Sequence, residues 1–214
     1  MNEIMVPLLG IAGAMTIGAM SPGPSFVMVA RTAVSSSRGD GLAAALGMGA
    51  GGIVFAIAAL VGLQAAFLAV PALYLAVKLA GGAYLVYLGV RIWRGAREPL
   101  SVPQQAGPAG TRGHARRAFL LGMGTQISNP KTAVVYASIF AAFLPREVPL
   151  ALALAVPVAI FCIETAWYAI VALALSSAAP RAAYLRYKAW IDRAAGGVMV
   201  LLGLKLLASG VREG

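Results

Sequence analysis

The stretch that decides the fold class spans residues 150–178 and reads LALALAVPVAIFCIETAWYAIVALALSSA. Its only charged side chain is that of Glu164. A helix needs about 20 consecutive apolar residues to cross the ~30 Å hydrocarbon layer of a membrane. Comparable apolar runs recur along the 214-residue chain. The sequence therefore predicts an all-α membrane protein.

The overall composition agrees with a membrane protein and argues against a soluble one. Sixty per cent of the residues are apolar and 11% are charged, whereas soluble domains carry about 25% charged residues. A net charge of +10 is also typical of nucleic-acid-binding proteins. Here, however, the basic residues flank the apolar runs. We therefore expect the lipid bilayer as a partner, and no nucleic acid.

Turn and charge signals divide the chain into six predicted transmembrane helices within one transporter-like domain covering residues 1–214. The breaks fall at 35–41, at Pro71, in a polar loop at about 94–117, at 145–149 and at 180–188. The predicted spans are about 4–30, 42–64, 72–93, 118–144, 150–178 and 192–210.

Basic residues predict the orientation of these spans. The loops at 31–40, 91–117 and 180–193 hold twelve Lys and Arg residues, and the opposite side holds three. Such an excess marks the cytoplasmic side. We therefore predict a multi-pass protein of the bacterial inner membrane with both termini on the outer side. The N-terminus lacks the positive segment of a cleaved signal peptide, so we expect the first span to be retained.

An internal similarity predicts an inverted repeat of three plus three helices. Residues 82–91 align without gaps on residues 196–205, with matching glycines, apolar residues and a final basic residue. Two consecutive sets of three spans run in opposite directions, and inverted repeats with broken helices are common in transporters. A chance likeness between glycine-rich helices is the alternative.

The first predicted span contains Ser21, Pro22, Gly23 and Pro24. Two prolines remove two N–H donors, so carbonyls one turn earlier lose their partners. Such backbone is tolerated at membrane depth only against protein or a water-filled cavity. The motif predicts a discontinuous helix that lines a substrate path, with a purely structural kink as the alternative.

Asn129, Pro130 and Lys131 form a corresponding break in the fourth span. A lysine at the middle of a span costs about 2.5–3.5 kcal/mol on insertion scales. Such a cation needs an anionic partner or an anionic ligand, for example a substrate carboxylate. We predict that these three residues bind substrate. The alternative is a shifted span with Lys131 near the interface.

Glu164 is the acid predicted to lie deepest in a span. A carboxylate there either pairs with a cation, for which Lys131 is the natural candidate, or takes up a proton. A structural ion pair is the competing reading. Trp167, three residues on, is expected to share its face of the helix.

No metal, cofactor or catalytic set is predicted. The single Cys162 and single His114 exclude a zinc-spaced cluster, and Cys162 is expected to be a small buried residue. No ATP-binding glycine loop is present. Gly47 and Gly51 have the spacing of close helix packing.

Taken together, these motifs resemble the lysine exporter and homoserine/threonine resistance family (LysE/RhtB type) over almost the whole chain. The resemblance rests on Pro22-Gly23-Pro24, the glycines 39, 41, 47 and 51, Gly81-Gly82-Ala83-Tyr84-Leu85, Leu88-Gly89, Phe119, Gly122 and Asn129-Pro130-Lys131. It implies a six-helix fold and proton-driven efflux of amino acids. It also implies that the two proline breaks, Asn129 and Lys131 belong to the central pathway. Gln126 and Ala141 depart from the family's usual Asn and Pro, which leaves the substrate open.

The leading functional hypothesis is a secondary exporter of amino acids or close metabolites, which uses protons and is not an enzyme. A metal-ion effluxer would need more His, Cys, Asp or Glu ligands in the spans than Glu164 alone. An intramembrane enzyme would need a clustered nucleophile and base. The oligomeric state stays open, with a homo-oligomer among the options.

Overall fold

In the computed structural model, residues 2–20, 23–69, 71–97, 114–145 and 147–213 are described. Every regular element in these ranges is an α-helix, which confirms the all-α prediction. The helices are α1 (Asn2–Met20), α2 (Pro24–Ser35), α3 (Arg38–Ala69), α4 (Pro71–Gly95), α5 (His114–Ser128), α6 (Pro130–Phe143), α7 (Leu150–Leu175) and α8 (Ala178–Glu213).

By length and composition, two of these helices can cross a membrane, within α3 and α7. The pair α1 and α2 passes the same test when it is counted as one span bent by 59°. This apolar character is consistent with the predicted membrane protein. The number of six spans stays a prediction.

Both predicted proline breaks coincide with the start of a new helix. Gly23 is the N-cap of α2 and Asn129 is the N-cap of α6, and each is followed by a proline at the first helical position. A proline there costs no hydrogen bond, because the first N–H of a helix has no partner within it. In both halves of the molecule, a new helix therefore begins with an N-cap residue followed by a proline.

Two expectations from the sequence are wrong. Residues 180–188 were predicted as a break, but they belong to the continuous helix α8. Pro180 lies in the first turn of that helix, where a proline is tolerated. Cys162 is exposed rather than buried. An apolar helix face that contacts lipid needs no cover from the protein, so apolar surroundings in the sequence do not imply burial in the fold.

Glycines allow two pairs of helices to approach closely. A Cβ added at Gly47 would lie 2.1 Å from the Phe119 carbonyl oxygen, and one at Gly122 would lie 2.3 Å from that of Ala44, so α3 and α5 are in backbone contact. This confirms the packing role expected for Gly47 and Gly51. Helices α4 and α8 contact each other in the same manner, through Gly82 with Gly203 and Gly89 with Gly196.

Two large apolar clusters lie at different levels along α3 and α7, and a smaller cluster among the described residues contains Leu85, Met199 and Leu206. The first cluster contains Ile11, Ala14, Met15, Ala56, Leu60, Leu88, Val135, Tyr136, Ile139, Phe140, Leu144, Leu152, Val156 and Ile160. The second cluster contains Phe26, Val29, Ala30, Ala33, Ala44, Ala45, Met48, Ala118, Tyr168, Val171, Ala172 and Leu175. On α7 the first cluster ends at Ile160 and the second begins at Tyr168, so Glu164 lies at the level between them.

Candidate functional site

A polar cavity lies between the two apolar clusters, where both helix breaks meet α7. It contains about 350 Å³ of empty space, counted to its open mouth. Its walls are Met15, Gly18, Ala19, Gly23, Ser25, Gln126, Asn129, Lys131, Thr132, Val135, Tyr136, Glu164 and Tyr168.

A buried hydrogen-bond network joins the two broken regions at this cavity. The Ser25 hydroxyl donates to Gln126 Oε1 at 3.0 Å and accepts from Asn129 Nδ2 at 3.0 Å. The Asn129 Oδ1 atom accepts from the backbone N–H of Lys131 at 3.0 Å and so caps α6. One serine at the start of α2 therefore holds the end of α5 and the start of α6 in place.

The Lys131 side chain reaches across from α6 to the break between α1 and α2. A Cβ added at Gly23 would lie 3.4 Å from both Lys131 Cδ and Lys131 Nζ. Glycine at this position therefore leaves the space that the lysine side chain occupies. The ammonium group is attracted by two carboxylates, first by Glu164 and then by Asp192. It stands at the start of two half-helices, α2 and α6, whose N-termini carry partial positive charge.

Glu164 forms the opposite wall of the cavity. It is 3% exposed, and its Oε1 atom accepts a 3.1 Å hydrogen bond from the Tyr136 hydroxyl. Its other oxygen, Oε2, has no hydrogen-bond partner among the described residues. A Cβ added at Gly52 would lie 2.9 Å from the Tyr136 hydroxyl oxygen, so the glycine admits this pair against α3. A buried carboxylate with an unused oxygen can accept a proton or an ammonium group.

Most of the sequence-predicted site residues come together at this cavity. Gly23, Asn129, Lys131 and Glu164 all line it. Pro24 and Pro130 begin the half-helices α2 and α6 beside it. Ser21 and Pro22 lie outside the described residues. The role of these residues in binding a substrate stays a prediction.

Several cavity residues were not singled out from the sequence. Tyr136 and Tyr168 provide hydroxyl-bearing walls, whereas Trp167, which was expected on the Glu164 face, does not line the cavity. Tyr168 follows Glu164 by four residues and Trp167 follows it by three. On an α-helix the spacing of four lies closer to the Glu164 face than the spacing of three. Gln126 stands three residues before Asn129, and a polar residue so close to a helix break was a usable signal.

The buried acid Asp192 was also missed. Asp192 is 3% exposed, like Glu164, and forms an ion pair with Lys188 at 2.7 Å. In the sequence it stands at the edge of the predicted sixth span, among basic residues assigned to a loop. Its burial follows from the extension of α8 through residues 180–188.

Comparison with known proteins places the chain in a family of membrane transporters. The model of the LysE type translocator family matches residues 16–210. The chain is 32% identical to the threonine efflux protein of Escherichia coli strain K12 over 209 residues, which cover 96% of this chain and all of that protein. The threonine efflux protein of Salmonella typhimurium strain LT2 is likewise 32% identical over 207 residues, with 96% of this chain and all of the relative covered.

A more distant relative shows the same full-length similarity. An uncharacterised membrane protein of Haemophilus influenzae is 28% identical over 218 residues, which cover the whole chain and 98% of the relative. No solved structure matches the chain significantly. The family match spans both helix breaks and most of the cavity and of α8. The chain therefore belongs to the LysE type translocator family.

Proposed function

We propose that this protein is a secondary exporter that carries amino acids or closely similar metabolites out across the bacterial inner membrane and is driven by protons. Family membership and two relatives named as threonine efflux proteins support the transport of an amino acid. The observation that carries the proposal is the polar cavity between the two helix breaks, with a lysine on one wall and a glutamate on the other.

The charges of the cavity favour a substrate with a free carboxylate and an ammonium group. Lys131 supplies a cation beside the start of α2, whose N-cap residue Gly23 offers no side-chain hydrogen bond to the first turn. A substrate carboxylate bound there would accept hydrogen bonds from backbone N–H groups in the first turn of α2 and from the Lys131 ammonium group. Glu164 Oε2, which lacks a partner among the described residues, would accept from the substrate amine.

The remaining walls favour a small side chain. Met15, Ala19 and Val135 are apolar, and Gly18 leaves space. A modest aliphatic or hydroxyl-bearing amino acid fits these walls better than a polyanion. The cavity offers one carboxylate for a cationic group, so a dication is a less favourable substrate than a zwitterion.

Reciprocal glycine contacts support the proposed inverted repeat. The sequence alignment pairs Gly82 with Gly196 and Gly89 with Gly203. In the fold Gly82 contacts Gly203 and Gly89 contacts Gly196. The alignment therefore maps the contact of Gly82 with Gly203 onto the contact of Gly196 with Gly89. A two-fold relation between the two halves requires this. The packing of the half-helices follows the same symmetry. Helix α1 packs on α6, and α5 and α2, which correspond to them in the repeat, also pack on each other. Six spans in two inverted halves therefore remain our proposal for the topology.

The proposal also includes both termini on the outer face. Arg38, at the start of α3, donates a 2.6 Å hydrogen bond to the Ser177 hydroxyl, just before α8. The loops before α3 and before α8 therefore lie at the same end of the bundle. Both belong to the side that the excess of basic residues assigns to the cytoplasm.

Transport by the purified protein in liposomes tests this function. We expect uphill movement of one or more labelled amino acids from a panel, beginning with L-threonine, when a pH gradient is imposed. Glu164→Gln is expected to remain folded and inserted but to lose uphill transport, because an amide cannot carry the proton. Glu147→Gln, which changes an exposed acid in the loop before α7, is the matched control and should transport normally.

Three outcomes would contradict the proposal in different ways. Normal pumping by Glu164→Gln would make this residue structural. Transport of divalent metal ions without amino acids would favour a metal effluxer. Chemical conversion of an added substrate would favour an intramembrane enzyme.

A further inference from the structure

Helix α8 carries a buried charge pair that the central cavity does not include. Lys188 is 8% exposed and Asp192 is 3% exposed, and their side chains are joined at 2.7 Å, one helical turn apart. Lys188 Nζ also lies 3.5 Å from the backbone carbonyl oxygen of Ala96, at the end of α4. Buried ion pairs are costly to desolvate and often stabilise a fold less than apolar residues of similar size. A stabilising role is therefore not the default for such a pair.

The charge pair lies on the helix that flanks the cavity. Further along α8, Met199 Cε would lie 3.3 Å from a Cβ added at Gly18, a wall of the cavity. Asp192 precedes Met199 by seven residues, which is about 10 Å along a helix. In the other direction, the Tyr184 ring stacks on Phe26 with centroids 5.2 Å apart, and Phe26 follows the cavity residue Ser25. The stretch of α8 from Tyr184 to Met199 thus flanks the cavity, with Asp192 in its middle.

The hydrogen-bonding capacity of this region is not used up. Asp192 Oδ1 and the Tyr184 hydroxyl are both buried and have no hydrogen-bond partner in the described part of the chain. A buried carboxylate oxygen without a donor is unfavourable, so this oxygen is suited to accept one from a ligand. Asp192 also attracts the charge of Lys131 in the central cavity, so the two sites are within electrostatic range of each other.

We propose that Lys188 and Asp192 form a second, entry site that binds the ammonium and carboxylate groups of the substrate before it reaches the central cavity. This inference rests on the proposed function and adds a step to it. The Asp192 carboxylate receives the substrate ammonium at Oδ1, and Lys188 turns toward the substrate carboxylate. The central pair of Glu164 and Lys131 presents the same two charges to the substrate next. Because Lys188 contacts the end of α4 beside the predicted cytoplasmic loop, the entry site serves substrate that arrives from the cytoplasm.

Membrane vesicles of known orientation separate the two faces of the transporter. The measured quantity is the amino-acid concentration that half-saturates counterflow, in inside-out and in right-side-out vesicles. The amino acid is L-threonine, or the one from the panel that the wild type carries. We expect Asp192→Asn to raise this concentration about tenfold or more at the cytoplasmic face, because one hydrogen bond to a charged group is lost. At the outer face it should stay at the wild-type value. Arg186→Gln, which removes an exposed charge from the same helix, should change neither.

A double variant distinguishes an entry site from a structural ion pair. Lys188→Met with Asp192→Asn removes both charges and leaves no unpaired buried charge, so it also serves if the single variant does not fold. Recognition by this pair predicts that the double variant keeps the defect at the cytoplasmic face. Recovery of wild-type values by the double variant, or an equal change at both faces, would overturn the proposal. The proposed function is tested separately, by whether the wild type itself carries an amino acid.

Discussion

The contact between α3 and α5 gives a sharp prediction about stability and transport, tested by Gly122→Ala. The added methyl carbon would lie 2.3 Å from the Ala44 carbonyl oxygen, a backbone atom that no side-chain rotation can move away. Relief to 3.0 Å requires the two helices to separate by about 0.7 Å. Overpacking of this kind costs about 1–3 kcal/mol.

Gly124→Ala, two residues along the same helix, is the matched control. A Cβ at Gly124 meets no atom within 4 Å. Both substitutions bring the same gain in helix propensity, up to about 1 kcal/mol, so this term cancels in the comparison. Gly122→Ala should therefore unfold with a free energy about 1–3 kcal/mol below that of Gly124→Ala. At about 2–4 °C per kcal/mol for a chain of this size, the difference in Tm is roughly 2–12 °C.

The same substitution should impair transport through Gln126. This residue follows Gly122 by one helical turn, and its Oε1 atom accepts a 3.0 Å hydrogen bond from the Ser25 hydroxyl. A shift of α5 by about 0.7 Å along this bond would lengthen it beyond the range of an effective hydrogen bond. Thermal unfolding of the purified variants and amino-acid efflux from liposomes measure the two effects. Equal melting temperatures for the two alanine variants would refute the close packing described here.

Two further predictions concern the topology and the helix breaks. A reporter fused at Gly107 should be active in the cytoplasm and one fused after Gly214 should be active in the periplasm, because twelve basic residues mark one side against three on the other; both reporters on one side would exclude six spans. Pro22→Ala combined with Pro24→Ala should restore backbone hydrogen bonds across the first break, so thermal stability should hold or rise while efflux falls. A loss of folding without a separate transport defect would instead indicate a structural kink.

The sequence predicted the helical architecture because apolar length and helix-breaking residues are local signals. The all-α class follows from runs such as residues 150–178, and the restart of helices at Pro24 and Pro130 follows from the missing N–H of proline. Proline was less informative at Pro180, where it lies in the first turn of α8. Proline alone does not distinguish a break from a helix start, and the longer α8 depends on its packing against α4.

The cavity was only partly predictable, because its walls come from residues far apart in the chain. Asn129, Lys131 and Glu164 were identified since polar groups within apolar spans are costly. Ser25 and Tyr136 were not, because hydroxyl side chains are tolerated in membrane helices and carry no local signal of function. Their role became visible only when α2, α6 and α7 were brought together.

The burial of Asp192 was hidden for a different reason. The residue stands among Lys188 and Arg193, and a cluster of charges at a span boundary normally marks a solvated loop. Whether such a cluster is exposed depends on the neighbouring helix, here the end of α4 at Ala96. The sequence alone does not show the contact between α4 and α8, so it could not predict the burial of Asp192.

The most direct test of the central claim is a competition experiment on amino-acid counterflow. The cavity is proposed to recognise a substrate carboxylate through Lys131, so an excess of the unlabelled amino acid should block counterflow, whereas its amide, which lacks the carboxylate, should leave counterflow unchanged. Equal inhibition by the acid and the amide would contradict this claim and remove Lys131 from the role.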